Sequence, residues 1–129
     1  MDILLIERDQ LIRDLVKVGL QQFPEFTVMC GEGYVGVNEL RQRSFDCVFL
    51  GVDSLQGEGM KLLRHLRQFD RTTELVVMTS HRMAKDLAGE KSKLNIAAML
   101  NTPIEATEFF RLVGRIRARR AEAEAVRSL

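Results

Sequence analysis

Residues that can take part in chemistry come directly after short apolar runs in this chain of 129 residues. The sequence "ERD" at 7–9 follows the run "ILLI", and Asp53 comes three residues after the run "CVFL". Hydroxyl groups follow two later runs, at Thr79 and Thr102. Carboxylates are ligands that hard cations such as Mg²⁺ prefer, whereas a guanidinium binds anions. Either chemistry requires that the fold brings these residues together.

Five short, continuous apolar runs predict five strands that are covered on both faces. Segments with a helical repeat separate them, and the first carries Leu11, Leu15 and Val18 at i, i+4 and i+7, with Ile12 and Val16 widening the stripe. We expect that stripe to face the core. The predicted strands cover residues 3–6, 26–30, 47–50, 75–78 and 96–100. The other predicted helical segments lie near 35–43, 62–69, 83–94 and 109–116.

Strands and helices alternate five times, which predicts a doubly wound α/β fold with a parallel sheet and helices on both faces. In such folds, ligands bind at the carboxyl ends of the strands. The candidate residues after the apolar runs are therefore expected at one edge of the sheet. The glycine-rich stretch "GEGYVG" at 31–36 lacks the phosphate-loop lysine and the dinucleotide spacing, so we interpret it as a loop.

Composition excludes several classes of protein. Hydrophobic residues make up 46% and charged residues 29%, with a formal net charge of +1, as expected for one globular domain without a general affinity for nucleic acid. Cys30 and Cys47 lie in apolar segments and are interpreted as buried, reduced thiols. No apolar run approaches the length of a membrane helix, and the start is unlike a signal peptide. We therefore expect a cytoplasmic protein.

Three further polar residues are assigned structural roles. His65 and His81 have no Cys or His neighbours at ligand spacing, so both are predicted to lie on the surface and no metal site is expected. Asp46, before the third strand, is interpreted as a turn residue.

Four stretches in order, "ILLIERD", "FDCVFLGVDSLQGEG", "LVVMTS" and "AAMLNTPI", resemble the receiver (CheY-like) domain of bacterial two-component response regulators, over residues 2 to about 118. The resemblance implies a flavodoxin-like (βα)₅ fold with strand order 2-1-3-4-5. It also implies a receiver-like domain at 1–118 and a helical extension or linker at 119–129.

The same resemblance places the family's functional positions. Receivers hold magnesium with two acidic residues after the first strand, and these positions carry Glu7 and Arg8 here. The phosphoacceptor aspartate at the end of the third strand falls on Gly51. Arg8 would repel the metal, and a glycine offers no carboxylate nucleophile. A degenerate pseudo-receiver that needs no cofactor is therefore expected.

The remaining family positions lie on the last two strands. The conserved hydroxyl falls on Thr79, the Lys-Pro pair on Thr102 and Pro103, and the aromatic switch residue on Met99. Without a lysine at 102, no cation balances a phosphoryl group. Asp53 remains an alternative acceptor with an unusual geometry, against its interpretation as an ordinary turn residue.

Arg8 is hypothesised to replace the missing metal as a fixed cation paired with Glu7, Asp9 or Asp53; the alternative is that it points to solvent. Asp9 and Asp53, with Pro103, are also candidate pocket contacts.

The leading functional interpretation is a signalling module that acts by protein contact without phosphorylation. It is expected to be no enzyme and to form the N-terminal domain of a longer regulator or to stand alone. Resemblance implies a working face on the fourth helix, fifth strand and fifth helix, used for an output domain, another protein or a homodimer. The arginines of the tail are interpreted as a solvated face rather than a nucleic-acid site. The alternative is a domain that binds a small anion or nucleotide through Arg8 and Thr79.

Overall fold

A computed structural model describes residues 1–129 and contains one parallel sheet of five strands in the order β2-β1-β3-β4-β5. The predicted doubly wound fold and its strand order are confirmed. The strands are β1 Asp2–Ile6, β2 Thr27–Gly31, β3 Cys47–Gly51, β4 Glu74–Ser80 and β5 Ala98–Thr102.

Six helices and one 3₁₀ turn connect the strands. They are α1 Gln10–Gln21, α2 Gly33–Val37, α3 Glu39–Gln42, α4 Glu58–Phe69, α5 His81–Leu87, the 3₁₀ turn Ala88–Glu90 and α6 Ala106–Arg127. The predicted helix at 35–43 is in fact two short helices, and part of "GEGYVG" belongs to α2 rather than to a loop. Gly33 has a φ of 54°, a left-handed conformation that glycine adopts readily where the chain turns into α2.

Strand β5 lies two residues later than predicted, at 98–102 instead of 96–100. The last two pairs of its ladder with β4 join Thr79 to Asn101 and Ser80 to Thr102. Polar residues continue the β5 ladder at the half-exposed edge of the sheet. The apolar run therefore stops before the true carboxyl end of the strand.

The sheet is covered by two apolar clusters, one on each face. The first contains 17 buried residues and involves α4 and α5, and the second contains 14 and involves α1 and α6. Phe49 and Leu50, neighbours on the central strand β3, belong to opposite clusters, as the alternation of side chains along a strand requires.

The stripe predicted on α1 is only partly buried, because just its widening residues, Ile12 and Val16, pack in the core. Val16 and Leu20 are fully buried, whereas Leu11, Leu15 and Val18 stay largely exposed. Two apolar stripes run along this helix, and the neighbouring helix α6 decides between them. An added Cβ at Gly19 would lie 2.7 Å from Cε2 of Phe109, so the missing side chain allows that ring to pack closely.

The two cysteines lie in different environments. Cys47 is buried as predicted, and burial raises the pKa of its thiol well above its usual value. Cys30 is exposed, contrary to prediction, because β2 is an edge strand. Both thiols are free.

The histidines also differ. His81 is exposed as predicted, but His65 is half-buried. The ring of His65 packs edge-on to Tyr34 with centroids 5.1 Å apart, and its Nε2 lies 2.9 Å from Oδ1 of Asn38. His65 therefore links α4 to α2 and its carboxyl end.

Helix α6 runs without a break across the predicted domain boundary at residue 118. Its predicted arginine face is largely exposed, with Arg115 unpaired and Arg117, Arg119 and Arg120 in ion pairs with acidic side chains. Arg119 pairs with Glu74, and Arg120 lies 2.6 Å from Oδ1 of Asp46. Asp46 also accepts a hydrogen bond from the backbone N–H of Asp2 at 2.7 Å, so it is more than a turn residue. No helix combines the length and the apolar character needed to cross a membrane.

Candidate functional site

A cleft of about 420 Å³ opens at the carboxyl ends of β1, β3, β4 and β5. Most of the residues that the sequence nominated line it, as the rule for doubly wound folds predicts. Pro103 and Met99 are not among its lining residues. The predicted residues in the cleft are Glu7, Arg8, Asp9, Gly51, Asp53, Thr79 and Thr102.

The carboxylate of Glu7 occupies the space that a side chain at position 51 would need. Glu7 directly follows β1, and Gly51 is the last residue of the neighbouring strand β3. A Cβ added at Gly51 would overlap Oε2 of Glu7 and lie 2.6 Å from its Cδ. The two residues are therefore complementary in volume, with the longer acidic side chain filling the place left by the glycine.

Burial raises the pKa of the half-buried Glu7 carboxyl above its ordinary value. The backbone N–H of Asp9 donates to Oε1 at 3.1 Å, and this hydrogen bond lowers the pKa. The nearby carboxylates of Asp9 and Asp53 raise it, while Arg13 lowers it. Desolvation and like charge outweigh the hydrogen bond and the cation, so Glu7 is an electrostatically unfavourable feature of this edge.

The start of α4 packs directly onto the end of β3. A Cβ added at Gly59 would overlap the carbonyl oxygen of Gly51 and lie 3.0 Å from Cα of Val52. Only glycine tolerates this approach between two backbones. The "GEG" at 57–59 therefore fixes the distance from α4 to the cleft.

Arg8 does not pair with the carboxylates that the sequence suggested. Its Nε lies 3.7 Å from Oε2 of Glu58 at the start of α4, and its side chain is 75% exposed. The pairing with Glu7, Asp9 or Asp53 was wrong because Glu7 turns toward Gly51. Arg8 reaches across the mouth of the site instead.

Asp9 and Asp53 have different positions. Asp9 is the N-cap of α1, where its Oδ1 accepts from the backbone N–H of Ile12 at 3.1 Å. Asp53 is exposed in the β3–α4 loop. One carboxylate is therefore engaged in helix capping, and the other faces solvent beside the cleft.

On the far side of the cleft, Thr79 is 2% exposed and donates its hydroxyl to the carbonyl of Val52 at 2.7 Å. Thr102 ends β5, and the peptide bond to Pro103 is cis. Met99 is half-buried and packs against the cluster of α4 and α5. The Thr79 hydroxyl thus joins β4 to the β3–α4 loop.

A second cavity of about 520 Å³ lies on the other side of Glu7, toward β2 and α2. Glu7, Arg8 and Gly51 line both cavities, so the Glu7 side chain forms part of the wall between them. Tyr34 and Glu58 belong to the second cavity only.

The residues present do not fit a magnesium ion. No group of three His, Cys, Asp or Glu side chains has the geometry to hold a metal. Glu7 is turned onto Gly51, Asp9 caps a helix, and Arg8 brings a positive charge to the same mouth. The cleft therefore lacks the set of oxygen ligands that a magnesium ion requires.

Sequence reasoning missed two features. The first is that Glu7 fills the space over Gly51; the signal was the simultaneous presence of a long acid at one position and a glycine at the other. The second is the buried Arg67 of α4, whose guanidinium donates to the carbonyls of Leu94 and Asn95 at 2.8 and 2.9 Å. An arginine on the apolar face of a helix was the available signal.

The parallel sheet of order 2-1-3-4-5 and the cleft at its carboxyl end define a CheY-like receiver fold. The family model described as response regulator receiver domain matches residues 3–113. This chain belongs to the response regulator receiver family. Receiver domains are in general signalling modules rather than enzymes. A search among curated proteins found no match.

Solved structures agree on the fold. NtrX from Brucella abortus superposes with a TM-score of 0.78 at 20% identity, over 99% of this chain and 29% of that one. Its isolated receiver domain gives 0.74 at 21% identity, over 89% and 97%. A signal receiver domain of an HD domain-containing protein from Pseudomonas fluorescens Pf-5 gives 0.77 at 21%, over 95% and 91%. The chain thus spans less than a third of the NtrX chain that it matches.

Proposed function

We propose that this receiver domain signals by protein contact and does not accept a phosphoryl group. The observation that carries the proposal is the carboxylate of Glu7 in the side-chain space of Gly51. Phosphoryl transfer to a receiver needs a carboxylate nucleophile and cations that balance the charge of the phosphoryl group. Here the acceptor position is a glycine, and Thr102 stands where a lysine would supply one of those cations.

Glu7 is a poor substitute for the missing nucleophile. It is half-buried and accepts from the N–H of Asp9, and the nearby carboxylates of Asp9 and Asp53 repel an incoming phosphate. Arg8, the one cation after β1 at the mouth, is paired with Glu58. The carboxyl group of Glu7 instead places an acidic group over the end of β3 without the action of a kinase.

Asp53 is the remaining carboxylate that could serve as an acceptor. It is exposed, lies beyond the end of β3 and has no ion-pair partner. The neighbouring hydroxyl, Thr79, is occupied by the carbonyl of Val52. We infer that Asp53 is a loop residue.

Intact mass after treatment with acetyl phosphate, with and without Mg²⁺, tests the proposal. We expect no mass increase of one phosphate. A stoichiometric increase in the wild type would contradict it, and the Asp53→Asn and Glu7→Gln variants would then identify the acceptor. A phosphorylatable receiver treated in parallel verifies the donor.

We further propose that the domain contacts its partner or output domain through α5, β5 and α6. These elements are the fourth helix, fifth strand and fifth helix of the family resemblance, because the predicted second helix is divided here into α2 and α3. In support, α5 exposes a dense set of polar and charged side chains, His81, Arg82, Lys85 and Asp86. The length of NtrX relative to this chain supports a role as the N-terminal domain of a longer regulator.

The alternative of a small anion or nucleotide bound through Arg8 and Thr79 has little support. The Thr79 hydroxyl is buried and occupied by the carbonyl of Val52, and Arg8 pairs with Glu58. An anion would also meet the carboxylate of Glu7 in the same cleft.

A further inference from the structure

The outer surface of α4 and of the segment between α5 and β5 carries an excess of positive charge. Residues 58–96 contain eight Lys and Arg against five Asp and Glu, a net charge of +3, whereas the whole chain has +1. Six of these cations are exposed and have no ion-pair partner within the protein. They form the basic patch, which consists of Lys61 and Arg64 of α4, Arg71 after α4, Lys85 of α5, and Lys91 and Lys93 before β5.

Hydrogen bonds hold two parts of the basic patch together. The guanidinium of Arg71 donates to the carbonyl of Lys93 at 2.8 Å, and Nδ2 of Asn95 donates to the carbonyl of Arg71 at 2.8 Å. The buried guanidinium of Arg67 joins the same segments through the carbonyls of Leu94 and Asn95. The carboxyl end of α4 is therefore fixed to the segment before β5, and a partner that meets both has less conformational entropy to remove.

Apolar burial offers little driving force for association at this surface. The large hydrophobic residues that are exposed lie on α1, α2 and α6 or at the last residue, and none lies on α4, on α5 or in the segment before β5. Charge is therefore what this surface offers to a partner. Complementary charge speeds association and fixes the orientation of the two surfaces.

We propose that the basic patch binds an acidic surface of a protein, the partner of the function proposed above, on which this inference rests. The patch adjoins the proposed contact face, because Lys85 lies on α5 and the segment that carries Lys91 and Lys93 leads into β5. The contact then extends from α5 across to the exposed side of α4. Lys61 and Arg64, three residues apart, are neighbours on that side.

Acidic side chains within the same surface favour a protein over a nucleic acid or a membrane. Asp86 of α5 is exposed and Glu90 is partly exposed, and both repel a uniformly negative phosphate backbone or lipid surface. A protein can place basic groups opposite them. Aromatic rings on which bases could stack are also absent from the patch, since the exposed Phe and Tyr residues are Tyr34 on α2 and Phe110 on α6.

Fluorescence anisotropy with a labelled helical peptide of about 16 residues, with Glu along one face, tests the proposal. The wild type should bind the peptide at about 50 mM NaCl, and about 300 mM NaCl should weaken binding at least about tenfold. The double variant Lys61→Glu and Arg64→Glu should raise the Kd at least about tenfold at the lower salt concentration. A wild type that does not bind the peptide at the lower salt concentration would overturn the proposal.

The matched control is the double variant Arg115→Glu and Arg127→Glu. It changes the net charge by the same amount, and both residues are exposed on α6 without an ion pair. Helix α6 packs on the opposite face of the sheet from α4. The control should bind the peptide nearly as tightly as the wild type. Equal weakening by both double variants, or weakening by the control alone, would overturn the assignment to the basic patch.

Duplex DNA of about 16 base pairs, and phosphatidylcholine vesicles with about 30% phosphatidylserine, test the class of partner. Both should bind more weakly than the peptide at the same salt concentration. Tighter binding of either would overturn the assignment to a protein. The acetyl phosphate test is independent of these measurements: phosphorylation of a domain that binds the peptide contradicts the proposed function alone, and lack of both contradicts the basic patch alone.

Discussion

The two ends of the sheet treat their acidic residues in opposite ways. At the amino end of the strands, Asp46 and Glu74 each receive an arginine from α6. At the carboxyl end, Glu7 lies near Asp9 and Asp53, and its pKa is raised mainly by burial. The amino end of the sheet is stabilised by ion pairs, whereas the carboxyl end keeps a partly buried carboxyl group close to other carboxylates. In a doubly wound domain, the strained end is where function is expected.

The comparison also separates two uses of glycine. Gly51 makes room for a side chain, and Gly59 makes room for a backbone. The first contact involves the flexible end of Glu7, which can move, while the second involves the carbonyl of Gly51, which cannot move without distorting β3. Substitutions at these positions should therefore differ in cost.

The largest effect is predicted for Gly59→Ala. The new Cβ overlaps the carbonyl of Gly51, so α4 must shift away from β3, with a loss of about 2 to 4 kcal/mol of stability. Urea denaturation measures it. Gly114→Ala is the control, because it meets nothing within 4 Å and replaces a helical glycine, and it should be neutral or stabilising by up to about 1 kcal/mol. Similar stabilities for the two variants would contradict the close packing at Gly59.

A smaller effect is predicted for Gly51→Ala, about 1 to 2 kcal/mol, because the methyl group displaces the carboxylate of Glu7. In the background of Glu7→Ala, the same substitution should cost much less. A double-mutant cycle by urea denaturation measures this coupling. Additive losses would mean that Glu7 and Gly51 do not share the space.

The smallest loss of stability is predicted at the amino end, for Arg120→Ala. Its pairs with Asp46 and Glu124 are partly exposed, so the expected loss is about 1 kcal/mol or less and shrinks as salt is added. Arg115, exposed on the same helix and without an ion pair, provides the control, since Arg115→Ala should leave stability nearly unchanged. A loss at Arg120 that salt does not reduce would show that packing, not charge, holds α6 in place.

Five short apolar runs that alternate with helical segments predicted the doubly wound fold and a cleft at the carboxyl end of its sheet, while the strand order was implied by the family resemblance. The sequence did not predict the buried face of α1 or the partner of Arg8, because in each case one residue pattern was compatible with more than one structure. Helix α1 carries two apolar stripes, and the contact of Gly19 with Phe109 selects the buried one. Several acidic residues were possible partners for Arg8, and the observed partner, Glu58, is distant from it in sequence. Such choices depend on tertiary contacts that local periodicity does not contain.

The raised pKa of Glu7 links the site to pH. Because its folded pKa lies above the unfolded value, the native state holds its proton more tightly, and the protein loses stability as pH rises from the ordinary glutamate pKa through the raised one. Glu7→Gln removes this titration. The stability of that variant relative to the wild type should therefore increase over the same interval, as measured by urea denaturation at several pH values. A constant difference would contradict the assignment.

The position of the Glu7 carboxylate over Gly51 is tested most directly by its titration, followed by NMR of the side-chain carbon in the wild type and in Gly51→Ala. The pKa should be raised in the wild type, because the carboxylate is partly buried, and should fall toward its ordinary value in Gly51→Ala, because the methyl group pushes it into water. The same pKa in both proteins would contradict this placement, and Glu7 would then not occupy the side-chain space of Gly51.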